Sequence, residues 1–183
     1  HGKPDVMRGE ETQIIGALQR LGAKSHTFVL PGTHAKWVSV TAGSIGAFRT
    51  YMTGEVFAAL KGHTILGRTM SGDARHVPEA FARGAEFGAA RGAVGDLLNR
   101  IFSARTLGLT GELAADDAAS YLSGLLIGAE IASAAPIDSA FVIIAGEGLA
   151  ARYLEAAALL GLKATSAPPD CAVPGLLAIA RAA

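Results

Sequence analysis

Three short runs rich in β-branched and aromatic residues, His26 to Leu30, Lys36 to Thr41 and Ile45 to Met52, follow one another with little chain between them. The separating segments, Pro31-Gly32-Thr33 and Ala42-Gly43-Ser44, have the composition of turns. So short a connection joins antiparallel neighbours, whereas parallel strands need a crossover of about a dozen residues or more. This part of the chain is therefore expected to form a three-strand antiparallel meander.

The remaining elements are organised around it. Val6 to Leu21 reads as a loop opening a helix, with Ile14, Ile15 and Leu18 on one apolar face and Gly22 as its C-terminal cap. Thr53 is placed as the N-cap of a helix running to Leu60. Further helices are expected over Pro78 to Arg91, Asp96 to Arg105 and Asp116 to Ala134. Ala140 to Ala145 is a continuous apolar run of strand length that ends in Gly146-Glu147-Gly148. A helix from Leu149 to Leu160, a strand from Lys163 to Ala167 and a helix from Asp170 to Ala182 complete the order. A meander followed by βαβα units predicts an α/β fold with a mixed sheet and helices packed on it. Without internal repeats or a long Pro/Ser linker, the 183 residues read as one domain.

Composition narrows the partners. Lys plus Arg and Asp plus Glu each number 16, so no overall field draws the chain to nucleic acid or a membrane surface. An anionic ligand has to be held by local geometry. The apolar stretch from Leu122 to Pro136 is broken by Ser123, Gly124, Gly128, Glu130 and Ser133, and is too short for ~30 Å of hydrocarbon; it reads as a buried helix. Cys171 is the single cysteine, which excludes an internal disulfide, fits a reducing cytoplasm and reads as a small buried hydrophobe. The five histidines show no zinc spacing, so no protein-only metal site is expected. Asp73, Arg75 and His76 form a polar loop, while Met52 and Phe57 are assigned to the core.

Three constellations carry chemistry. In the turn Leu30-Pro31-Gly32-Thr33-His34-Ala35-Lys36, Gly32 allows close approach of backbone amides to an anion and Thr33 adds a hydroxyl. Alternation sets His34 and Lys36 on one face. Val142 to Leu149 is a strand ending in glycines before a helix, a frequent nucleotide site, although it lacks the third glycine of a dinucleotide fingerprint. Arg8-Gly9-Glu10-Glu11-Thr12-Gln13 sets adjacent carboxylates at a helix start. One could take a hydroxyl proton during phosphoryl transfer; both could equally favour the helix dipole. Each constellation has a plain structural reading when taken alone.

Their order resembles the second half of an actin-like sugar kinase. Gly9-Glu10 is similar to a catalytic Gly-Asp motif before a helix, Gly32-Thr33 to a phosphate turn, and Ala145-Gly146-Glu147-Gly148 to an adenosine motif. A closer resemblance is to the 2-dehydro-3-deoxygalactonokinase family. It is carried by Pro4 to Gln13, by Leu30-Pro31-Gly32-Thr33-His34-Ala35-Lys36-Trp37-Val38, by Tyr51-Met52-Thr53-Gly54-Glu55 and by Tyr121 to Glu130. Ala35 stands where that family is expected to have Ser.

The resemblance implies an actin-like (ribonuclease H-like) domain and ATP-dependent phosphorylation of 2-dehydro-3-deoxy-D-galactonate to its 6-phosphate in galactonate catabolism. It implies Glu10 as general base with Glu11 as the alternative, and Arg8 and Gln13 toward the substrate. Gly32, Thr33 and Lys36 would meet the ATP phosphates, and Gly146, Glu147 and Gly148 the adenosine. Mg²⁺ would arrive with ATP, with no metal ligand from this chain. The family's N-terminal hairpin of Asp-x-Gly-Thr type has no match here. The chain is thus expected to be a C-terminal nucleotide-binding domain whose N-terminal partner is missing, and to be inactive alone. A kinase for another sugar or sugar acid and a non-catalytic actin-like nucleotide-binding regulator stay open, as does a homo-oligomer. Neither nucleic acid nor a membrane is expected as a partner.

Overall fold

The computed structural model describes residues 4–22, 25–71, 75–90, 96–135 and 140–182. His1, Asp73 and Arg91, each part of an expectation above, lie outside them. In chain order the elements are α1 (Glu10–Leu21), β1 (His26–Leu30), β2 (Ala35–Thr41), β3 (Ser44–Tyr51), α2 (Thr53–His63), α3 (Pro78–Ala89) and α4 (Leu97–Leu109). There follow α5 (Ala118–Ala134), β4 (Phe141–Ile143), α6 (Glu147–Leu159), β5 (Ala164–Ser166) and α7 (Ala172–Ala182). A 3₁₀ turn, Gly67–Thr69, was not legible in the sequence. Two compact units result: His1–Tyr51 with Ala135–Leu154 and Lys163–Ala183, and Met52–Ala134 with Glu155–Leu162.

The first unit is built on a five-stranded mixed sheet of order β3-β2-β1-β4-β5. β1 pairs antiparallel with β2, and β2 with β3, as the short turns require. β4 joins the other edge of β1 in parallel, with Val29 opposite Ile143, and β5 continues in parallel beside β4. Because side chains alternate across a strand, the sheet carries two apolar faces. Phe28, Leu30, Val38, Val40, Val142 and Ile144 form one, packed with Ile14 and Ala17 of α1 and with Cys171. Val29, Trp37, Phe141 and Ile143 are buried on the other, where the Trp37 and Phe141 rings lie 4.9 Å apart.

Helices α1 and α7 approach backbone to backbone. A Cβ on Gly16 would lie 1.7 Å from the Cys171 carbonyl oxygen, and one on Gly175 would lie 1.7 Å from that of Thr12. Gly22 closes α1 in the left-handed conformation at φ 66°, its N–H donating to the Leu18 carbonyl, as its sequence position predicts.

The second unit is helical and centres on α5, buried on every side from Ala118 to Gly128. A helix apolar all round has to be enclosed by protein, and α5 is; none of the described helices is long and apolar enough to cross a membrane. Its small residues meet those of α3: a Cβ on Gly124 would lie 2.0 Å from the Phe81 carbonyl oxygen, and one on Gly84 2.0 Å from that of Tyr121. Its large ones, Tyr121, Leu122, Leu125 and Leu126, fill a core with Leu66, Ile101 and Leu113. Arg100 of α4, nearly buried, donates to the carbonyls of Phe87 and Ala90 at 2.6 Å and pairs with Asp96 at 2.9 Å, capping the C-terminus of α3.

Several boundaries differ from expectation. Thr53 is not an N-cap: Met52 holds that position, and the Thr53 hydroxyl instead donates to the buried carboxylate of Glu130 on α5. A buried carboxylate needs such a donor, which no local pattern reveals. Met52 itself is exposed rather than core. Helix α2 runs three residues beyond Leu60, and α4 four beyond Arg105. Helix α6 begins at Glu147, not Leu149, because the Gly146 carbonyl already accepts from the Leu149 and Ala150 amides.

Candidate functional site

The first unit contains a cleft of about 430 Å³. Glu10 and Gln13 of α1, Leu30 to His34 and Lys36 at the β1–β2 turn, and Ile144-Ala145-Gly146 after β4 line it. The sheet explains why segments more than a hundred residues apart meet there. β1 and β4 are parallel, so their C-terminal ends open side by side, one into the turn at Gly32 and the other into Gly146. The Ile144 amide donates to the Val29 carbonyl at 2.9 Å and keeps the two exits in register. α1 then sets its first turn over this edge by burying Ile14 and Ala17. Carboxyl ends of parallel strands are where α/β sheets bind ligands.

Glu10 is the cleft's carboxylate. One of its oxygens accepts from the Arg8 amide at 2.7 Å, and the other lies 3.6 Å from the Lys36 ammonium. Partial burial pushes its pKa up, but the Glu10 and Arg8 amides and Lys36 outweigh that, leaving it below the usual carboxylate range. Lys36 is 5% exposed, and its ammonium also donates to the His34 carbonyl at 3.2 Å. The turn that delivers Glu10 depends on Gly9, which caps α1 at φ 105°, where a side chain would be strained. Asp5 fastens the same segment to β3, accepting from the Thr50 amide at 2.8 Å and the Thr50 hydroxyl at 2.6 Å. The hydroxyl of Thr50 is the main cause of the lowered Asp5 pKa.

Of the residues singled out in the sequence, Glu10, Gln13, Gly32, Thr33, Lys36 and Gly146 come together at the cleft. Arg8, Glu11, Glu147 and Gly148 are not among its lining. Glu11 turns back to accept from the Gly9 amide at 2.8 Å, and Glu147 and Gly148 begin α6 just beyond Gly146. Gly32 and Gly146 have no positive φ, and a Cβ on either would meet nothing within 4 Å. The fold therefore does not require glycine at these two places, and both border open cleft. Sequence reasoning missed Asp5 and the Glu10–Lys36 pair, since nothing local links residue 5 to residue 50 or residue 10 to residue 36. Among the described residues no three His, Cys, Asp or Glu side chains gather as a metal site.

The family model described as 2-keto-3-deoxy-galactonokinase matches residues 1–179. The chain is 39% identical to the 2-dehydro-3-deoxygalactonokinase of Escherichia coli (strain K12), with 97% of this chain and 60% of that protein aligned. It is 40% identical to the "Probable 2-dehydro-3-deoxygalactonokinase DgoK1" of Rhizobium meliloti (strain 1021), over 98% of this chain and 60% of the relative. A crystal structure of a Sinorhizobium meliloti protein, provisionally assigned as a 2-dehydro-3-deoxygalactonokinase, superposes with a TM-score of 0.89 at 38% identity. That match covers 98% of this chain and 61% of the other. The chain thus spans about 60% of the length of these relatives. Because the family match extends over all but the last few residues, the chain belongs to the 2-keto-3-deoxy-galactonokinase family.

Proposed function

We propose that this chain is the C-terminal, nucleotide-binding part of an ATP-dependent kinase of actin-like fold. The whole enzyme phosphorylates the C6 hydroxyl of 2-dehydro-3-deoxy-D-galactonate in galactonate catabolism, in the cytoplasm. The observation that carries this reading is the meeting of Glu10, the Gly32-Thr33 turn and Gly146 at one cleft. Each is unremarkable alone; a carboxylate lining one cleft with two glycines that the fold does not need fits a phosphoryl-transfer site.

The residues take the following roles. Backbone amides at Gly32 and the Thr33 hydroxyl face the ATP phosphates, with Lys36 adding charge. Gly146, with Glu147 and Gly148 behind it, borders the adenosine, and the N-terminus of α6 favours the negative charge of the phosphates attached to it. Glu10, held ionised, accepts the proton of the attacking hydroxyl; Glu11, bound to the Gly9 amide, is the weaker candidate. Gln13, in the cleft, and Arg8, exposed beside it, orient the sugar acid. A single carboxylate engaged by Lys36 does not make a magnesium cage. Magnesium is therefore assigned to the nucleotide, arriving on its phosphates, and no step runs through a metal ligand of this chain. An N-terminal domain of the same protein supplies the cleft's other wall.

ADP release by the full-length enzyme, with ATP, Mg²⁺ and 2-dehydro-3-deoxygalactonate against a panel of sugar acids, tests this. Release dependent on that substrate is expected. Release with a different sugar acid alone would keep the kinase and replace the substrate, and ATP binding without any release would leave a nucleotide-binding regulator.

A further inference from the structure

We propose that Lys36 is a positioning residue for proton transfer: its ammonium holds the Glu10 carboxylate in place and passes to the transferring phosphoryl group once Glu10 is protonated. This rests on the kinase reading above. A lysine that only met phosphate could reach into the cleft on a free stem. Lys36 instead is 5% exposed, with its ammonium tied to the His34 carbonyl at 3.2 Å and 3.6 Å from Glu10. Burying an ammonium is costly unless it is paired, and both partners lie at the cleft. Its strand register adds to the restraint: Lys36 sits opposite Thr50 on β3, the residue whose amide and hydroxyl anchor Asp5. The segment carrying Glu10 and the strand carrying Lys36 are thus fastened at the same point of the sheet.

Among the described residues, the charged and titratable groups lining the cleft with Glu10 are Lys36 and His34, from β2 and its turn. On its own segment Arg8 and Glu11 flank it in sequence and Asp5 precedes them. Asp5 is bonded to Thr50 and Glu11 to the Gly9 amide, and Lys36 supplies the ion pair. In the reaction the substrate O–H bond breaks, and its proton goes to Glu10. The substrate oxygen bonds to the γ-phosphorus, and the bond from that phosphorus to the bridging oxygen breaks, leaving its electron pair on ADP. Lys36 keeps all its protons. As Glu10 becomes neutral its hold on the ammonium lapses, and that positive charge is released to the phosphoryl group as it passes to the substrate oxygen.

The test is the pH dependence of kcat/KM for the sugar acid in full-length wild type, Lys36→Met, Lys36→Gln and Lys36→Arg. Lys36→Met is expected to move the acid limb to higher pH, so that its loss is about tenfold greater on the acid side than on the alkaline side. Lys36→Arg should restore the limb. Lys36→Gln reads the same quantity if the methionine variant does not fold. An unmoved acid limb, with the loss confined to a higher KM for ATP, would reduce Lys36 to a phosphate contact and overturn the proposal. If wild type releases no sugar-dependent ADP, the kinase reading fails instead. Carboxyl NMR titration of Glu10 in wild type and Lys36→Met then decides, and coincident curves overturn the coupling.

Discussion

Glu10 shows how little of a residue's role is local. Its position at the first turn of α1 would suit any acidic residue interacting with the helix dipole. What distinguishes it from Glu11 is direction: Glu11 returns to the Gly9 amide, whereas Glu10 reaches the cleft and Lys36. Glu10→Gln in the full-length enzyme is expected to lower kcat by about 10²- to 10⁴-fold with little change in KM for ATP, the range general-base loss produces. Steady-state kinetics checks this, and wild-type turnover would remove Glu10 from the mechanism. Cys171 illustrates the opposite case. Burial pushes its thiol pKa up, and its Sγ donates to the Pro168 carbonyl at 3.0 Å, as suits the inert hydrophobe its sequence context suggested.

At the scale of elements, glycine does two separate jobs. Gly124 and Gly84 let α5 and α3 touch backbone to backbone, while Gly32 and Gly146 leave space beside a cleft. The two classes predict opposite outcomes. Gly124→Ala forces a Cβ to within 2.0 Å of the Phe81 carbonyl oxygen, so one helix has to shift. About 3 kcal/mol of stability should be lost, at the upper end for overpacking. Gly146→Ala should leave stability within about 0.5 kcal/mol, as for an ordinary surface change, and weaken ATP binding. Denaturant midpoints and nucleotide titration on both variants separate the classes; equal destabilisation would refute the distinction. Most elements were legible because each carries its own period and punctuation: Pro31-Gly32 and Ala42-Gly43 mark the strand turns, Pro78 opens α3, and Gly22 ends α1. Thr53 was misread because its hydroxyl answers to Glu130, 77 residues away.

For the whole molecule, the opening segment is held to the sheet by carboxylates, and that makes stability depend on pH. Asp5 and Glu10 both have folded pKa values below their ordinary ones, Asp5 chiefly through the Thr50 hydroxyl, Glu10 through amides and Lys36 that outweigh burial. A depressed folded pKa contributes stability that is complete above the unfolded value and is lost as pH falls through the folded one. Full-length protein should therefore show a lower urea midpoint at about pH 3 than at about pH 7. Asp5→Asn should flatten that difference while lowering the midpoint at neutral pH. Identical midpoints at both pH values would show that the tether contributes nothing.

The sequence by itself determined the α/β class, the strand and helix order, the buried character of α5 and the short motifs that mark the family, because all of these are written in neighbours a few residues apart. Tertiary structure alone decided that residues 10, 32, 36 and 146 share one cleft, that Glu10 rather than Glu11 faces it, and that Lys36 and Asp5 belong to its support. The physical reason is strand pairing. The parallel alignment of β1 with β4 and the burial of α1 on that sheet bring together groups whose separation along the chain carries no trace of their distance in space.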